Sequence, residues 1–186
     1  VRVDEALLER APELRLVVTT TSGTDHIDVS AARKRGVLVA RCPLARRDAV
    51  VDTSVAMAFS LLRRLPSLQR CAEAGEWARG ALPALAPVRV KGRKVGIVGA
   101  GVIGAEAIRV WRALGAEVRF SDPAVEGGVE VEDLCQWAEV LSLHCALGSQ
   151  SRGLLNEQRI GLLRPGAVVI NTARGEIGRA SCRERV

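Results

Sequence analysis

The segment from Lys94 to Asp122 constrains the fold of this chain more than any other part of the sequence. It begins with a short apolar run at 95–98, which predicts a buried strand. A glycine-rich turn follows, then a helical pattern at 103–114 and a second strand pattern at 117–120. Strand, glycine-rich turn, helix and strand in this order are typical of a Rossmann-like, doubly wound α/β domain with a parallel sheet.

The turn carries three glycines at the spacing G-x-G-x-x-G, and each has a different predicted task. Gly99 permits the tight turn from strand to helix, Gly101 lets a pyrophosphate approach the backbone, and Gly104 lets the helix pack close to the strand. The N–H groups at the helix N-terminus, at Val102 and Ile103, would meet the phosphates with the positive end of the helix dipole. The turn therefore predicts a dinucleotide-binding site.

An acidic residue ends the second strand of this unit. Asp122 lies 18 residues after Gly104, where its carboxylate would accept hydrogen bonds from both hydroxyls of an adenosine ribose. A phosphate at the ribose 2′ position would be repelled by this carboxylate, so the predicted cofactor is NAD and not NADP. A glycine triplet alone is a weak signal, but strand, helix and acid at the right distances make the prediction specific.

The composition excludes several other classes of protein. A chain of 186 residues with 48% hydrophobic residues can form a core of one domain or one and a half. It contains no apolar run long enough for a membrane span, and its start lacks the pattern of a signal peptide. The 27 Lys and Arg residues are scattered among 21 acidic ones without a basic, aromatic cluster, so neither nucleic acid nor membrane is a predicted partner.

Cysteine spacing gives no support for a metal site. The 5 cysteines form no C-x-x-C pair and no other ligand spacing. We interpret them as reduced thiols of a cytoplasmic protein.

A smaller β/α arrangement precedes the glycine-rich segment, and a longer one follows it. Before the segment, the patterns predict a strand at 16–20, a turn at 21–24, helix 27–35, strand 37–40, a long helix at 48–65 and a helical piece reaching Trp77. After it, they predict strand 129–131, helix 133–138, strand 140–145, helix 156–163 and strand 167–172. This alternation implies a parallel sheet, whose ligands bind at the carboxyl ends of the strands.

Three motifs resemble the D-isomer-specific 2-hydroxyacid dehydrogenases, the family that includes phosphoglycerate dehydrogenase and glyoxylate/hydroxypyruvate reductase. They are L-R-P-G-A-V-V-I-N-T-A-R-G at 163–175, G-T-D-H-I-D at 23–28 and G-E-W at 75–77. The resemblance implies an NAD-binding domain inserted into a smaller flavodoxin-like domain, with the substrate in the cleft between them. We therefore expect part of the substrate domain at 1–45 and the NAD-binding domain at 46–176.

The resemblance also implies the roles of several residues. Arg174 is the expected catalytic arginine, because a guanidinium can hold a carboxylate and a carbonyl together and stabilise the forming alkoxide. The backbone N–H groups of Ser22 and Gly23 are expected to hold the substrate carboxylate. The residues expected to line the cofactor are His144, Cys145, Thr172 and Ala173.

Each of these roles has an alternative that the residues themselves leave open. Arg174 is also compatible with a surface turn in which it pairs with a neighbouring acid, and Ser22 and Gly23 with an ordinary turn after a strand. Where the family has H-x-P-L-T, this chain reads H-C-A-L-G from His144, and this histidine is also compatible with a structural role at the end of a strand.

The mechanism of the family needs a histidine and a carboxylate as the acid/base pair, and both follow the arginine in such proteins. No histidine follows His144 here. We therefore expect this chain to be a fragment that is inactive by itself, with an incomplete sheet. Residues 177–186, which read I-G-R-A-S-C-R-E-R-V, resemble translated sequencing adapter, and we expect them to be a non-native tail.

Two functions follow from these expectations. The first is an NAD-dependent oxidoreductase that interconverts a D-2-hydroxy acid and a 2-oxo acid by hydride transfer, and that forms a homodimer through the helix at 48–65 when full length. The alternative is a non-catalytic NAD-sensing or partner-binding module of the corepressor type.

Overall fold

Two separate parallel sheets organise the chain in the computed structural model, which describes residues 2–80 and 82–178. The first sheet contains β1 (Leu16–Thr19) and β2 (Leu38–Arg41). Helices α1 (Glu5–Arg10) and α2 (Val29–Lys34) accompany it, and α2 connects the two strands. The sequence patterns did not predict α1. Its N-terminus is capped by Asp4, whose side chain accepts the Leu7 N–H at 3.1 Å.

The helical region that follows is divided into two helices, as the sequence predicts, but the first helix ends earlier than expected. Helix α3 spans Arg47–Leu62 and α4 spans Leu65–Glu73. The predicted helix end at residue 65 is therefore wrong, because Arg64 takes a left-handed conformation with φ of 57° and Pro66 lies in the first turn of α4. A short 3-10 helix at Ala78–Gly80 and α5 (Leu82–Leu85) lead towards the second sheet.

The second sheet has four parallel strands in the order β4-β3-β5-β6. The strands are β3 (Lys94–Val98), β4 (Glu117–Ser121), β5 (Val140–Leu143) and β6 (Val168–Asn171). The connecting helices are α6 (Val102–Ala113), α7 (Val131–Trp137) and α8 (Glu157–Gly161). The predicted α/β fold with a Rossmann-like parallel sheet is confirmed, whereas the domain boundaries stay a prediction.

The strand predicted at 129–131 is wrong. Val131 instead begins α7, with Glu130 in an extended conformation as its N-cap residue. Glu132 and Asp133 lie in the first turn, where negative charge interacts favourably with the helix dipole. One hydrogen bond, from the Val129 N–H to the Phe120 carbonyl at 2.9 Å, continues the β4 edge without forming a strand.

Side chains of the second sheet alternate between two apolar cores, one on each face. Ile97 of β3 and Ile170 of β6 point into the core formed with α3 and α6, where Trp111 is fully buried and stacks on Phe59. Leu141 of β5 belongs to the opposite core with α7. Helices on both faces explain why the inner strands β3 and β5 are almost entirely buried, whereas the edge strand β4 alternates between exposed and partly buried residues.

The chain beyond β6 packs on this second core for a short distance. Ile177 is buried there, and the Leu155 N–H donates to its carbonyl at 3.0 Å. Of the predicted non-native tail, Ile177 and Gly178 are described, and residues 179–186 lie outside the described residues. The non-native origin of the tail stays a prediction. Within residues 2–80 and 82–178, no helix combines the length and apolar character needed to cross a bilayer.

Candidate functional site

The glycine-rich turn lies against the chain that leaves β5. Gly99 has a φ of 89°, and a Cβ atom built on it would lie 2.6 Å from the backbone N and Cα of Cys145. A side chain at this position would therefore have both an unfavourable backbone conformation and a backbone clash. The turn needs glycine at 99 for the packing of two neighbouring strand ends as well as for its own geometry.

The two other glycines of the turn differ in their surroundings. A Cβ atom on Gly104 would collide with the Gly99 carbonyl, which holds α6 close to β3. A Cβ atom on Gly101 would meet no atom within 4 Å. Gly101 is the N-cap residue of α6 and makes no side-chain cap, so the first N–H groups of this helix, at Val102 and Ile103, face open space without a side-chain acceptor.

Asp122 lies beside this helix start, after the end of β4. Its Oδ2 accepts the Ala100 N–H at 2.7 Å, and its Oδ1 accepts the Ala124 N–H at 2.9 Å. Each carboxylate oxygen has a second acceptor position. The carboxylate is thus held in a fixed orientation next to the glycine-rich turn, with capacity for ribose hydroxyls.

His144 lies at the end of β5, next to the same turn. Its backbone N–H donates to the Val98 carbonyl at 2.7 Å, and its Nε2 shares a hydrogen bond of 2.9 Å with the Ser142 hydroxyl. Burial lowers the pKa of His144 to about 4, so the imidazole is neutral at physiological pH. Burial also raises the pKa of the adjacent Cys145 thiol.

Two buried polar atoms near these strand ends have no hydrogen-bond partner in the part of the chain that the structure describes. They are the Nδ1 of His144 and the Oγ1 of Thr172. Buried polar atoms in folded proteins are normally paired with protein, water or ligand. Together with the open helix start and the Asp122 carboxylate, they fit a polar cofactor that lies along the carboxyl ends of β3, β5 and β6.

The three predicted substrate residues also come together, although they follow strands of different sheets. A Cβ atom on Gly23 would lie 2.8 Å from the Arg174 Nη2, so the guanidinium packs directly on the turn after β1. Hydrogen-bond acceptors for the N–H groups of Ser22 and Gly23 are absent among the described residues. The turn can therefore offer two backbone donors beside an arginine, which suits a carboxylate ligand.

Arg174 makes an ion pair with Asp25, two residues beyond Gly23. Its Nη2 donates to Asp25 Oδ1 at 2.8 Å and its Nε donates to Asp25 Oδ2 at 3.1 Å. These hydrogen bonds hold the pKa of the Asp25 carboxyl below its usual value. The pairing acid is thus part of the candidate substrate turn and not a sequence neighbour of Arg174.

Two further residues of this site lie within the sequence motifs, although the motifs predicted no role for them. Asp25 belongs to G-T-D-H-I-D, and Asn171 begins N-T-A-R-G. The Asn171 amide donates to the Arg174 carbonyl at 2.8 Å, and its Oδ1 accepts the Ala173 N–H at 3.1 Å. Asn171 thereby folds the turn that carries Arg174. Its position at a strand end, before a short polar turn, is the signal that indicates this task.

The described residues contain no group of three or more His, Cys, Asp or Glu side chains that could hold a metal ion.

Residues 55–180 match the family model described as D-isomer specific 2-hydroxyacid dehydrogenase, NAD binding domain.

The chain is also similar to individual proteins along nearly its whole length. It is 31% identical over 181 residues to glyoxylate/hydroxypyruvate reductase HPR3 of Arabidopsis thaliana, covering 94% of this chain and 56% of that protein. It is 30% identical over 189 residues to the glyoxylate reductase of Thermococcus litoralis, covering 95% of this chain and 57% of that protein. The chain thus spans just over half the length of these relatives.

Solved structures give the same result for the fold. The D-lactate dehydrogenase of Aquifex aeolicus, in complex with NAD and lactic acid, superposes with a TM-score of 0.91 at 26% identity over 99% of this chain and 57% of that one. A D-2-hydroxyisocaproate dehydrogenase superposes with a TM-score of 0.83 at 25% identity, covering 99% of this chain and 58% of that one.

The glycines permit a paired test of the dinucleotide site. We expect Gly101→Ala to leave the free energy of unfolding nearly unchanged and to raise the Kd for NADH at least tenfold, because its methyl group enters only the space predicted for the pyrophosphate. Gly104→Ala should lower the free energy of unfolding by about 1–3 kcal/mol through overpacking. Urea unfolding and NADH fluorescence titration measure both effects. Unchanged NADH affinity in Gly101→Ala would contradict the assigned site.

The buried imidazole of His144 predicts how the free energy of unfolding depends on pH. The pKa of His144 is lowered to about 4 in the folded chain, whereas the pKa of a histidine in the unfolded chain is about 6.5. As the pH falls, the unfolded chain therefore binds this proton before the folded chain does. Stability contributed by the neutral imidazole is therefore lost on acidification, by about 2 kcal/mol between pH 7 and pH 5. Urea unfolding of His144→Gln should lack this part of the pH dependence, whereas His26→Gln should retain it. Equal pH dependence in both variants would contradict the assignment.

Proposed function

The chain belongs to the D-isomer specific 2-hydroxyacid dehydrogenase family, and from this membership we propose that it supplies the NAD-binding and carboxylate-binding parts of a dehydrogenase. The proposed reaction interconverts a D-2-hydroxy acid and a 2-oxo acid. The observation that carries the proposal is the position of the Arg174 guanidinium, which lies on the turn of Ser22 and Gly23. Arg174 belongs to the turn that follows the end of β6 at Asn171.

The proposed cofactor site is the edge where the second sheet's strands end. The N–H groups of Val102 and Ile103 bind the pyrophosphate at Gly101, with Gly99 and Gly104 keeping the turn close to its neighbours. Asp122 accepts the hydroxyls of the adenosine ribose and disfavours a 2′ phosphate. His144, Cys145, Thr172 and Ala173 line the remainder of this edge. A bound NADH would supply the hydride.

The proposed substrate site lies between the two sheets. The N–H groups of Ser22 and Gly23 donate to the substrate carboxylate, and Arg174 contacts both this carboxylate and the keto oxygen. Negative charge develops on that oxygen during reduction, and a permanently charged planar guanidinium stabilises it. His144 is not the proposed acid/base group, because it is neutral, buried and bonded to Ser142. We propose that the chain binds both ligands and does not turn them over by itself.

We propose that the two sheets correspond to a partial substrate domain at 1–45 and an NAD-binding domain at 46–176. The cysteines in the described residues, Cys42, Cys71, Cys135 and Cys145, are free thiols. Free thiols suit a reducing compartment, which supports the proposed cytoplasmic location.

Ligand titration tests this function. We expect the chain to bind NADH at least tenfold more tightly than NADPH and, once NADH is bound, to bind oxamate, a 2-oxo acid analogue whose amide carbonyl resists reduction. Arg174→Lys should weaken oxamate binding at least tenfold because the planar fork is lost. Arg164→Lys, an exposed position in the turn before β6, is the matched control. Binding of NADH without oxamate would support the non-catalytic, NAD-sensing alternative, and binding of neither ligand would exclude both functions.

We also propose that the full-length protein forms a homodimer through α3 and α4. Three apolar side chains remain exposed there, on Met57, Leu61 and Leu65. Such a neighbouring set is typical of an interaction surface.

Sedimentation equilibrium of the chain tests the proposed dimer. We expect self-association that Leu61→Asp abolishes by placing a charge in the interface. Val29→Asp is the matched control, because Val29 is 44% exposed and Leu61 41% exposed, but Val29 lies on α2. A monomeric chain, or equal weakening by both variants, would contradict the proposed interface.

A further inference from the structure

The ion pair between Asp25 and Arg174 is bidentate. Both oxygens of one carboxylate accept hydrogen bonds from one side of one guanidinium, at 2.8 and 3.1 Å. An exposed ion pair with a single contact orients its partners weakly, whereas a planar bidentate pair fixes the orientation of the guanidinium. Both side chains here are partly buried, at 30% exposure for Asp25 and 38% for Arg174.

The surroundings of the pair explain why it can form. The Gly23 position lies against it, because a Cβ atom there would be 2.8 Å from both the Arg174 Nη2 and the Asp25 Oδ1. Glycine at position 23 therefore leaves space for the pair in this arrangement. The backbone of Arg174 is held separately, by the Asn171 side chain. Backbone and guanidinium are thus each fixed by a different residue.

Part of the Arg174 guanidinium remains free to donate to a ligand. Of its five N–H groups, the Nε and one N–H of Nη2 donate to Asp25, and one N–H of Nη1 donates to the Ala173 carbonyl at 3.1 Å. One N–H on each terminal nitrogen is left. These two N–H groups can donate to both oxygens of a second carboxylate, or to one carboxylate oxygen and one carbonyl oxygen.

From these contacts we infer that Asp25 is a positioning residue, which holds one side of Arg174 so that the two remaining N–H groups face the substrate. The inference rests on the proposed function of Arg174. The substrate does not displace Asp25, since it uses the N–H groups that Asp25 leaves. The same contact joins the turn after β1 to the turn after β6, so that Ser22, Gly23 and Arg174 keep one arrangement.

The test uses the chain saturated with NADH. Oxamate is then titrated as the probe of the substrate site. Asp25→Asn keeps the size of the side chain but replaces one acceptor oxygen by an NH₂ donor, which cannot accept from the guanidinium. We expect this variant to raise the Kd for oxamate at least tenfold and to change the Kd for NADH less than twofold. Asp28→Asn is the matched control in the same sequence motif, because the Asp28 side chain caps α2 through the Ala31 N–H and makes no hydrogen bond or ion pair with Arg174 in the described residues.

A double-mutant cycle separates positioning from a general effect on the fold. If Asp25 acts through Arg174, Asp25→Asn should have little further effect on oxamate binding in the Arg174→Lys background. Additive effects, or a parallel loss of NADH affinity, would overturn the inference. Tighter oxamate binding by Asp25→Asn would overturn it as well, because the carboxylate would then be competing with the substrate.

The outcomes also distinguish this inference from the proposed function. Oxamate binding that depends on Arg174 but not on Asp25 would reject only the positioning role. Absence of oxamate binding by the unsubstituted chain, or oxamate binding that is insensitive to Arg174→Lys, would reject the proposed function and the inference together.

Discussion

The parallel register of the second sheet is the constraint on which the candidate site depends. Val98 pairs with Ser121 on one side and with Leu143 on the other, and Leu143 pairs with Asn171. All four strands therefore end at the same level, and the segments that follow them meet at one edge. The contact of Gly99 with the Cys145 backbone is a direct result of this arrangement. It excludes a side chain at position 99, whereas the space around Gly101 at the start of α6 stays open.

A second link joins the two sheets and creates the other half of the site. Arg174 reaches from the turn after β6 to the turn after β1, where Asp25 takes one side of its guanidinium. The first sheet is small, and its strands expose Leu16, Val18 and Leu38. Its turn nevertheless has a defined position relative to the cofactor edge, because the bidentate pair of Asp25 and Arg174 joins the two turns.

The sequence predicted the order of strands and helices in the second sheet well, since each β/α unit there carries its own local signals. Its errors have local physical causes. The apolar residues Val129 and Val131 suggested a strand, but Glu130 as N-cap and the acidic first turn favour the start of α7. The apolar periodicity continued to residue 65, but the left-handed backbone of Arg64 ends α3 earlier. Periodicity does not report such a change of backbone conformation.

The sequence by itself determined the glycine-rich turn, the start of α6 and the place of Asp122, because these parts lie within one β/α/β unit and their spacing sets their geometry. It also identified Arg174 and the turn of Ser22 and Gly23 through their resemblance to a family. Only the tertiary structure decided that Asp25 is the partner of Arg174 and that His144 bonds to Ser142. Asp25 and Arg174 are 149 residues apart, and no local pattern encodes a contact between side chains that packing alone brings together.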